Sequence, residues 1–366
     1  MSFPHLFSPF TLGDITLTNR LVMAPMTRSR AIGNLPNALM VDYYAQRAAA
    51  GLIITEGAAP SPNGLGYPRI PGMYSPEQIA GWRTVTDAVH TQGGHIFVQL
   101  MHVGRIGHPL NLPAGAELVA PSALQAPGEM FTDAEGPQPH PTPREMTGED
   151  IAQAVAEFAA SSKAAIEAGF DGVELHGANG YLIDQFLNPI SNQRTDAYGG
   201  SDENRVRFAL DVVRAVAKAI GKHRVGIRLS PLGAFNGLKR WNGAEDAFDY
   251  YAAALGDAGL AYMHVVDHSS MGAPEVPATL KARMRKSFGG TVILSGGYDS
   301  ERAEADLAEN LGELVAFGRP FLANPDLPLR FQKGAAMNPP NFDLFYSPGP
   351  DGYTDYPTLS SAPAAS

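Results

Sequence analysis

The sequence predicts an α/β fold of the (β/α)8 (TIM) barrel type, with an N-terminal hairpin plug and a long insertion after the third strand. Three observations carry the prediction. Eight short apolar runs recur along the 366 residues. Amphipathic helical stretches separate most of them, which is the alternation of parallel βα units, and eight such units close a barrel. Polar residues gather where the apolar runs end, at the face where barrels and open α/β sheets hold their ligands. A doubly wound open sheet is the alternative assembly of the same units.

Taken in order, residues 3–18 form the candidate hairpin, and residues 21–27 (LVMAPMT) the first strand. The other runs are 51–58 (GLIITEGA), 95–102 (HIFVQLMH), 172–178 (GVELHGA), 225–231 (VGIRLSP), 262–269 (YMHVVDHS), 291–297 (TVILSGG) and 314–320 (LVAFGRP). Two helices are marked at both ends. Thr147 is an N-cap followed by Glu149 and Asp150, the stripe runs through Ile151, Ala154, Phe158 and Ala165, and Gly169 stops it. Ser201 caps a second, with Val206, Leu210, Val213 and Ile220 on one face and Gly221 at its end. The Pro/Gly-rich stretch 103–146 is too long for a connection and reads as an excursion over the C-terminal face. The tail 335–366, containing Tyr346, Tyr353 and Tyr356, has no helical stripe, and its SSAPAAS end is expected to fray. The chain, 1–366, therefore reads as one domain.

Composition narrows the function classes. With 44% hydrophobic and 17% charged residues and no apolar run of about 20, the chain reads as a soluble globular protein without a membrane span. It has no cysteine, which rules out disulfides, thiolate metal sites and a cysteine nucleophile. The first residues lack a basic and apolar leader, so a cytoplasmic location is expected. A net charge of -10, spread along the chain, argues against nucleic acid or an anionic membrane as partner. His102, His108, His264 and His268 match no metal spacing, so no metal is expected.

The last two runs end in Ser295-Gly296-Gly297 and Phe317-Gly318-Arg319, the loops where barrels often seat a phosphate on backbone N–H groups, with Arg319 as the cation. The alternative is a tight turn and a surface pair. Arg228 lies inside an apolar strand, where it needs either a neutralising partner such as Glu174 or an electron-accepting ring above it. Gln99, late in the third run, is a ligand contact or a satisfied structural amide. After the fourth run, His176 and Asn179 can both donate to one oxygen and Tyr181 can deliver a proton. Strand capping, a turn and core packing would use the same three residues.

These motifs together resemble the old yellow enzyme family of FMN-dependent ene-reductases over nearly the whole chain. NRLVMAPMTRSR, EGAAPSPNGLGY, VQLMHVGR, GIRLSP, VAFGRPFLANPDL, GYTDYPTL and, most specifically, ELHGANGYLIDQFLNPISNQRTDAYGGSDENR carry the resemblance. It implies FMN as cofactor, NADPH or NADH as electron donor, and activated alkenes or nitro compounds as substrates of a monomer or homodimer. Pro25, Met26, Thr27 and Gly57 would lie against the flavin, Gln99 and Arg228 on its pyrimidine side, and Gly297, Gly318 and Arg319 at its phosphate. His176 and Asn179 would grip the substrate's activating oxygen, Tyr181 would protonate the α carbon, and Tyr67, Met101 and Tyr353 would line the substrate pocket. Thr27 and Asn179 place the chain with the Thr and His/Asn sub-families. Met101 stands where an aromatic is common, and Gly57 where alanine is frequent. A flavin-free phosphate-binding lyase or isomerase, and a flavoprotein sensor, are the rival classes.

Overall fold

The computed structural model describes residues 3–360; of the SSAPAAS terminus, residues 361–366 lie outside the described residues. Among the described residues, eight parallel strands close a barrel. They are β1 (Leu21–Met23), β2 (Leu52–Ala58), β3 (Ile96–Leu100), β4 (Gly172–Gly177), β5 (Val225–Leu229), β6 (Tyr262–Val266), β7 (Val292–Ser295) and β8 (Leu314–Phe317). Each neighbours the next in sequence and β8 returns to β1, so the closed barrel is observed in place of the open sheet. Seven of the strands end before their apolar runs do, the last residues of the run bending away from the ladder into the loops at the C-terminal face, whereas β2 reaches the end of its run at Ala58.

The helices follow their local signals. Thr147 accepts from the Asp150 N–H, and the Asp150 side chain answers the Thr147 N–H, so a reciprocal cap starts the helix Gly148–Glu167. Ser201 likewise accepts from Asn204 at the start of Asp202–Ile220. These two helices pack on each other and bury the stripes read from the sequence, including Ile151, Phe158, Val206 and Val213.

The predicted hairpin forms from Phe10–Leu12 and Ile15–Leu17. Leu12 and Leu17 pack with Val22, Leu52, Ile54, Phe97, Tyr262 and Leu314 at the N-terminal end of the barrel. Burying each leucine contributes about 1.5–3 kcal/mol. This plug closes the bottom, so polar groups higher in the interior are shut off from water on that side. The 103–146 excursion has β structure of its own, a hairpin of Glu129–Thr132 with Gly136–Pro139 and a short pair of Val119–Ala120 with Arg144–Glu145. Its Ile106, Leu118, Ala126 and Met130 pack with Met101, Tyr181 and Tyr67 at the C-terminal end.

The tail has no long helix, as expected, and is held by arginines instead. Arg30 donates to the carbonyls of Leu344, Phe345 and Asp351 at 2.7–2.9 Å, and Arg28 to Gly352 at 2.7 Å. Both guanidinium groups are buried, where each charge-assisted bond is worth about 1.5–3 kcal/mol. A segment without hydrophobic periodicity is thereby fixed beside the barrel mouth.

Candidate active site

Strand register assembles the site. His176 on β4 is level with Arg228 on β5, Arg228 is level with His264 on β6, and Glu174 on β4 is level with Gln99 on β3. Between β2 and β3 the register shifts from Ile54 to Gly57, and this bulge brings Gly57 opposite Gln99. The four polar side chains Gln99, Glu174, Arg228 and His264 are all buried, above the apolar plug.

Glu174 does not form an ion pair with Arg228 among the described residues. Its Oε1 accepts from Gln99 Nε2 at 2.8 Å and its Oε2 from His264 Nδ1 at 2.8 Å. Arg228 is left without a hydrogen-bond partner, its Nε buried and orphaned. Burial pushes its pKa down, and the charge of Glu174 opposes this. A buried guanidinium that no protein group satisfies is a site for a ligand acceptor.

The loop after β4 is held from three sides. The Ser230 hydroxyl accepts from Asn179 N–H at 2.8 Å, the Asp184 carboxylate accepts from Gly180 N–H at 2.9 Å, and Asn236 Nδ2 donates to the Asn179 carbonyl at 2.7 Å. This clamp keeps Asn179 at φ 58°, a left-handed conformation that asparagine tolerates better than most residues. Asp184 lies on the buried helix Leu182–Leu187, and burial pushes its carboxyl up to about 7.

This geometry leaves two polar groups without partners and sets a third, the Tyr181 phenol, beside them. The Ala178 N–H donates to His176 Nδ1 at 3.3 Å, so that nitrogen carries no proton. Burial, and then the field of Arg228, hold the imidazole pKa well below its usual value, so His176 is neutral with its proton on Nε2. That N–H has no partner among the described residues. The Asn179 amide also has none, and its Oδ1 is buried. Tyr181 stands at the start of the Leu182–Leu187 helix, its ring 4.8 Å from that of His176, and its hydroxyl donates to Tyr67 at 3.0 Å. Burial raises the pKa of both phenols, so both retain their protons.

At the β7 and β8 ends, Gly296 and Gly297 take φ 129° and 64°, and side chains there would meet the Asp267 carbonyl at 2.0 Å and Ser270 at 2.7 Å. Around Gly318 such a carbon would meet Met26 Sδ at 3.6 Å, an ordinary contact, so the backbone there is uncrowded compared with Gly296 and Gly297. Arg319 has no carboxylate partner among the described residues and lies over the Phe342 ring at 5.3 Å. Among the described residues, the Thr27 hydroxyl and the Gln99 amide oxygen have no hydrogen-bond partner. Orphaned Arg228, the free Gln99 oxygen, the uncrowded turn at Gly318 and Arg319 without a carboxylate partner together fit a ring system with a phosphate tail.

One expected pocket residue lies elsewhere. Tyr353 is fully buried and stacks on Tyr43 at 4.1 Å, with Arg30 4.7 Å and Arg28 5.1 Å from its ring, so it belongs to the tail anchor and not to the pocket wall. Tyr346 of the same segment is 59% accessible, and its phenol is near enough to act electrostatically on Tyr67 and Tyr181. Arg69 holds it by donating to the Tyr346 carbonyl at 2.9 Å. Asp184, Ser230, Asn236 and Tyr346 are the residues that sequence reasoning missed. Ser230 and Asp184 lay inside quoted motifs, and a carboxylate in an otherwise apolar six-residue helix was the available signal. Two of the histidines without metal spacing have protein partners: His102 is buried with Nδ1 accepting from Gly104 N–H at 3.1 Å, and His264 is bound to Glu174.

Comparison with known proteins is consistent across sequence and fold. The model of the NADH:flavin oxidoreductase / NADH oxidase family matches residues 5–338. Chanoclavine-I aldehyde reductase of Penicillium roqueforti (strain FM164) is 44% identical, over 96% of this chain and 95% of its own. The 12-oxophytodienoate reductase 1 of Oryza sativa subsp. japonica is 41% identical, over 97% and 93%. Among solved structures, morphinone reductase superposes with a TM-score of 0.94 at 46% identity, covering 98% of this chain and 97% of its own. A complex of morphinone reductase with tetrahydroNAD gives 0.92 at the same identity, covering 97% and 98%.

Proposed function

The chain belongs to the NADH:flavin oxidoreductase / NADH oxidase family, in its old yellow enzyme branch of FMN-dependent, NAD(P)H-using ene-reductases, and we propose that it reduces the C=C bond of enones, enals, maleimides and nitroalkenes. FMN, when bound, would supply the redox chemistry, hydride transfer from the nicotinamide to the β carbon of the alkene in a ping-pong cycle.

The chain's residues bind, orient and protonate. Pro25, Met26, Thr27 and Gly57 would line the flavin, Gln99 and Arg228 would meet its pyrimidine edge, and Gly297, Gly318 and Arg319 would hold the phosphate. The His176 Nε2–H and the Asn179 amide donate to the carbonyl or nitro oxygen of the substrate and stabilise the negative charge that develops there. Tyr181 gives its proton to the α carbon, and Tyr67, within hydrogen-bond distance, orients that hydroxyl. Tyr67, Met101 and Tyr346 form the pocket wall, with segment 103–146 as its cover in a one-domain enzyme.

The observation that carries this reading is the neutral His176, with its only proton free on Nε2, beside an unpartnered Asn179 amide and a protonated Tyr181. Each group is thus already in the protonation state its role needs: two N–H donors for the oxygen, and a phenol whose proton passes to the carbanion, leaving a phenolate that solvent reprotonates. Separating the half-reactions tests it. In rapid mixing, Y181F should keep flavin reduction by NADPH within about threefold of wild type while alkene reduction falls about 10²–10⁴-fold, the range for loss of a general acid. Equal loss in both half-reactions would remove Tyr181 from the proton-donor role. A protein that takes up no FMN would favour the lyase reading.

A further inference from the structure

The proposed chemistry leaves one fully buried charge unused. Glu174 has no solvent exposure, and its two oxygens are divided between Gln99 and His264 at 2.8 Å each. The first bond orients Gln99, since the amide nitrogen is turned to the carboxylate and no protein donor reaches its oxygen. The second sets the His264 tautomer, with Nδ1–H given to Glu174 and Nε2 buried without a partner. Arg228, level with both His176 and His264 in the strand register, is the cation nearest this layer, and it lies beyond ion-pair distance of the carboxylate. The Tyr262 hydroxyl, on the same strand as His264, is the remaining polar group facing the carboxylate. Glu174 therefore touches neither the expected ring nor the substrate, and acts on both flavin-facing side chains.

We propose that Glu174 is the positioning residue beneath the flavin: it holds the Gln99 amide with its oxygen free for the ring, and it offsets part of the Arg228 charge. This inference rests on the placement of FMN over Gln99 and Arg228 described above. Its physical basis is that an electron-rich reduced ring is favoured by an uncompensated cation. A carboxylate behind that cation in a poorly screened interior weakens the preference. Glu174 thus restrains the affinity for reduced flavin while organising the binding of oxidised flavin.

Two variants separate charge from orientation. E174Q keeps the size and one acceptor oxygen but removes the charge. It should favour reduced over oxidised FMN by about tenfold more than wild type, read as a positive shift of about 30 mV in the two-electron midpoint potential. E174D keeps the charge and withdraws it by one methylene. It should leave the potential at the wild-type value while oxidised FMN, followed by fluorescence titration of the flavin-free protein, binds more weakly. A purely structural role would lower thermal stability and FMN affinity in both without a potential shift of defined sign.

R228M is the control and should move the potential negative. If R228M does so and E174Q leaves the potential unchanged, the assignment of Glu174 is overturned and the flavin placement stands. If neither moves it, the placement itself is wrong. Should E174Q not fold, E174D decides: a potential displaced from wild type, or unchanged affinity for FMN, overturns the inference.

Discussion

Gly57 and Met101, the two departures that the sequence places near the flavin and the pocket, pack against each other, and G57A tests that packing. A Cβ at position 57 would stand 2.7 Å from Met101 Sδ, 2.8 Å from its Cβ and 2.9 Å from its Cε. Unstrained carbon contacts lie at about 3.5–4.0 Å. The thioether end can swing away, but the Met101 Cβ cannot, because the Met101 N–H is tied to the Ala58 carbonyl at 2.9 Å. Gly57 does not have a positive φ, so alanine there costs sterics and not backbone strain. Overpacking of this kind costs about 1–3 kcal/mol. M101A alone should cost about 2–5 kcal/mol through the cavity it leaves. In the double variant the contacts to Sδ and Cε vanish and only the Cβ contact remains, so the combined loss should fall short of the sum by about 1 kcal/mol or more. Urea midpoints of the flavin-free protein, with a common slope, complete the cycle. Additivity within about 0.3 kcal/mol would refute the packing argument. Because Met101 shares its cluster with Tyr181 and Tyr67, G57A should also raise KM for bulky alkenes.

Two further outcomes follow from the site. R319A removes an unpaired cation from the β8 loop and should weaken FMN binding about 10–100-fold, the worth of a charge-assisted hydrogen bond of about 1.5–3 kcal/mol; unchanged affinity in a fluorescence titration would take Arg319 out of the phosphate site. Burial raises Asp184 from 3.8 to about 7, so between those values the native state keeps a proton that the unfolded chain has released, and this group makes stability fall as pH rises across the window. D184N lacks the titration, so its thermal midpoint relative to wild type should climb from about pH 4 to pH 7 and then level off. A pH-independent difference would mean that Asp184 is ionised throughout.

Much of the architecture could be read from the chain because its causes are local. The Thr147 and Ser201 caps bond within three residues, the apolar stripes repeat every turn, and the strand runs end in the residues that leave the barrel mouth. The triplet His176, Asn179 and Tyr181 spans six residues, so its delivery to one loop follows from the strand end alone. Tertiary structure decided what faces what. The tie between Gln99 and Glu174 crosses 75 residues, that between Tyr67 and Tyr181 crosses 114, and that between Arg30 and the Phe345 carbonyl crosses 315. Tyr346 and Tyr353 are seven residues apart in an aperiodic tail, where no repeat tells which one is buried; the guanidinium groups of Arg28 and Arg30 enclose the Tyr353 ring and leave Tyr346 exposed. The proton position on His176 and the orphaning of Arg228 likewise depend on strand register and on the plugged barrel floor. Residue types set which groups could do chemistry, and barrel closure set their partners, because a buried polar group takes its charge state and orientation from neighbours that only the closed ladder brings within bonding distance.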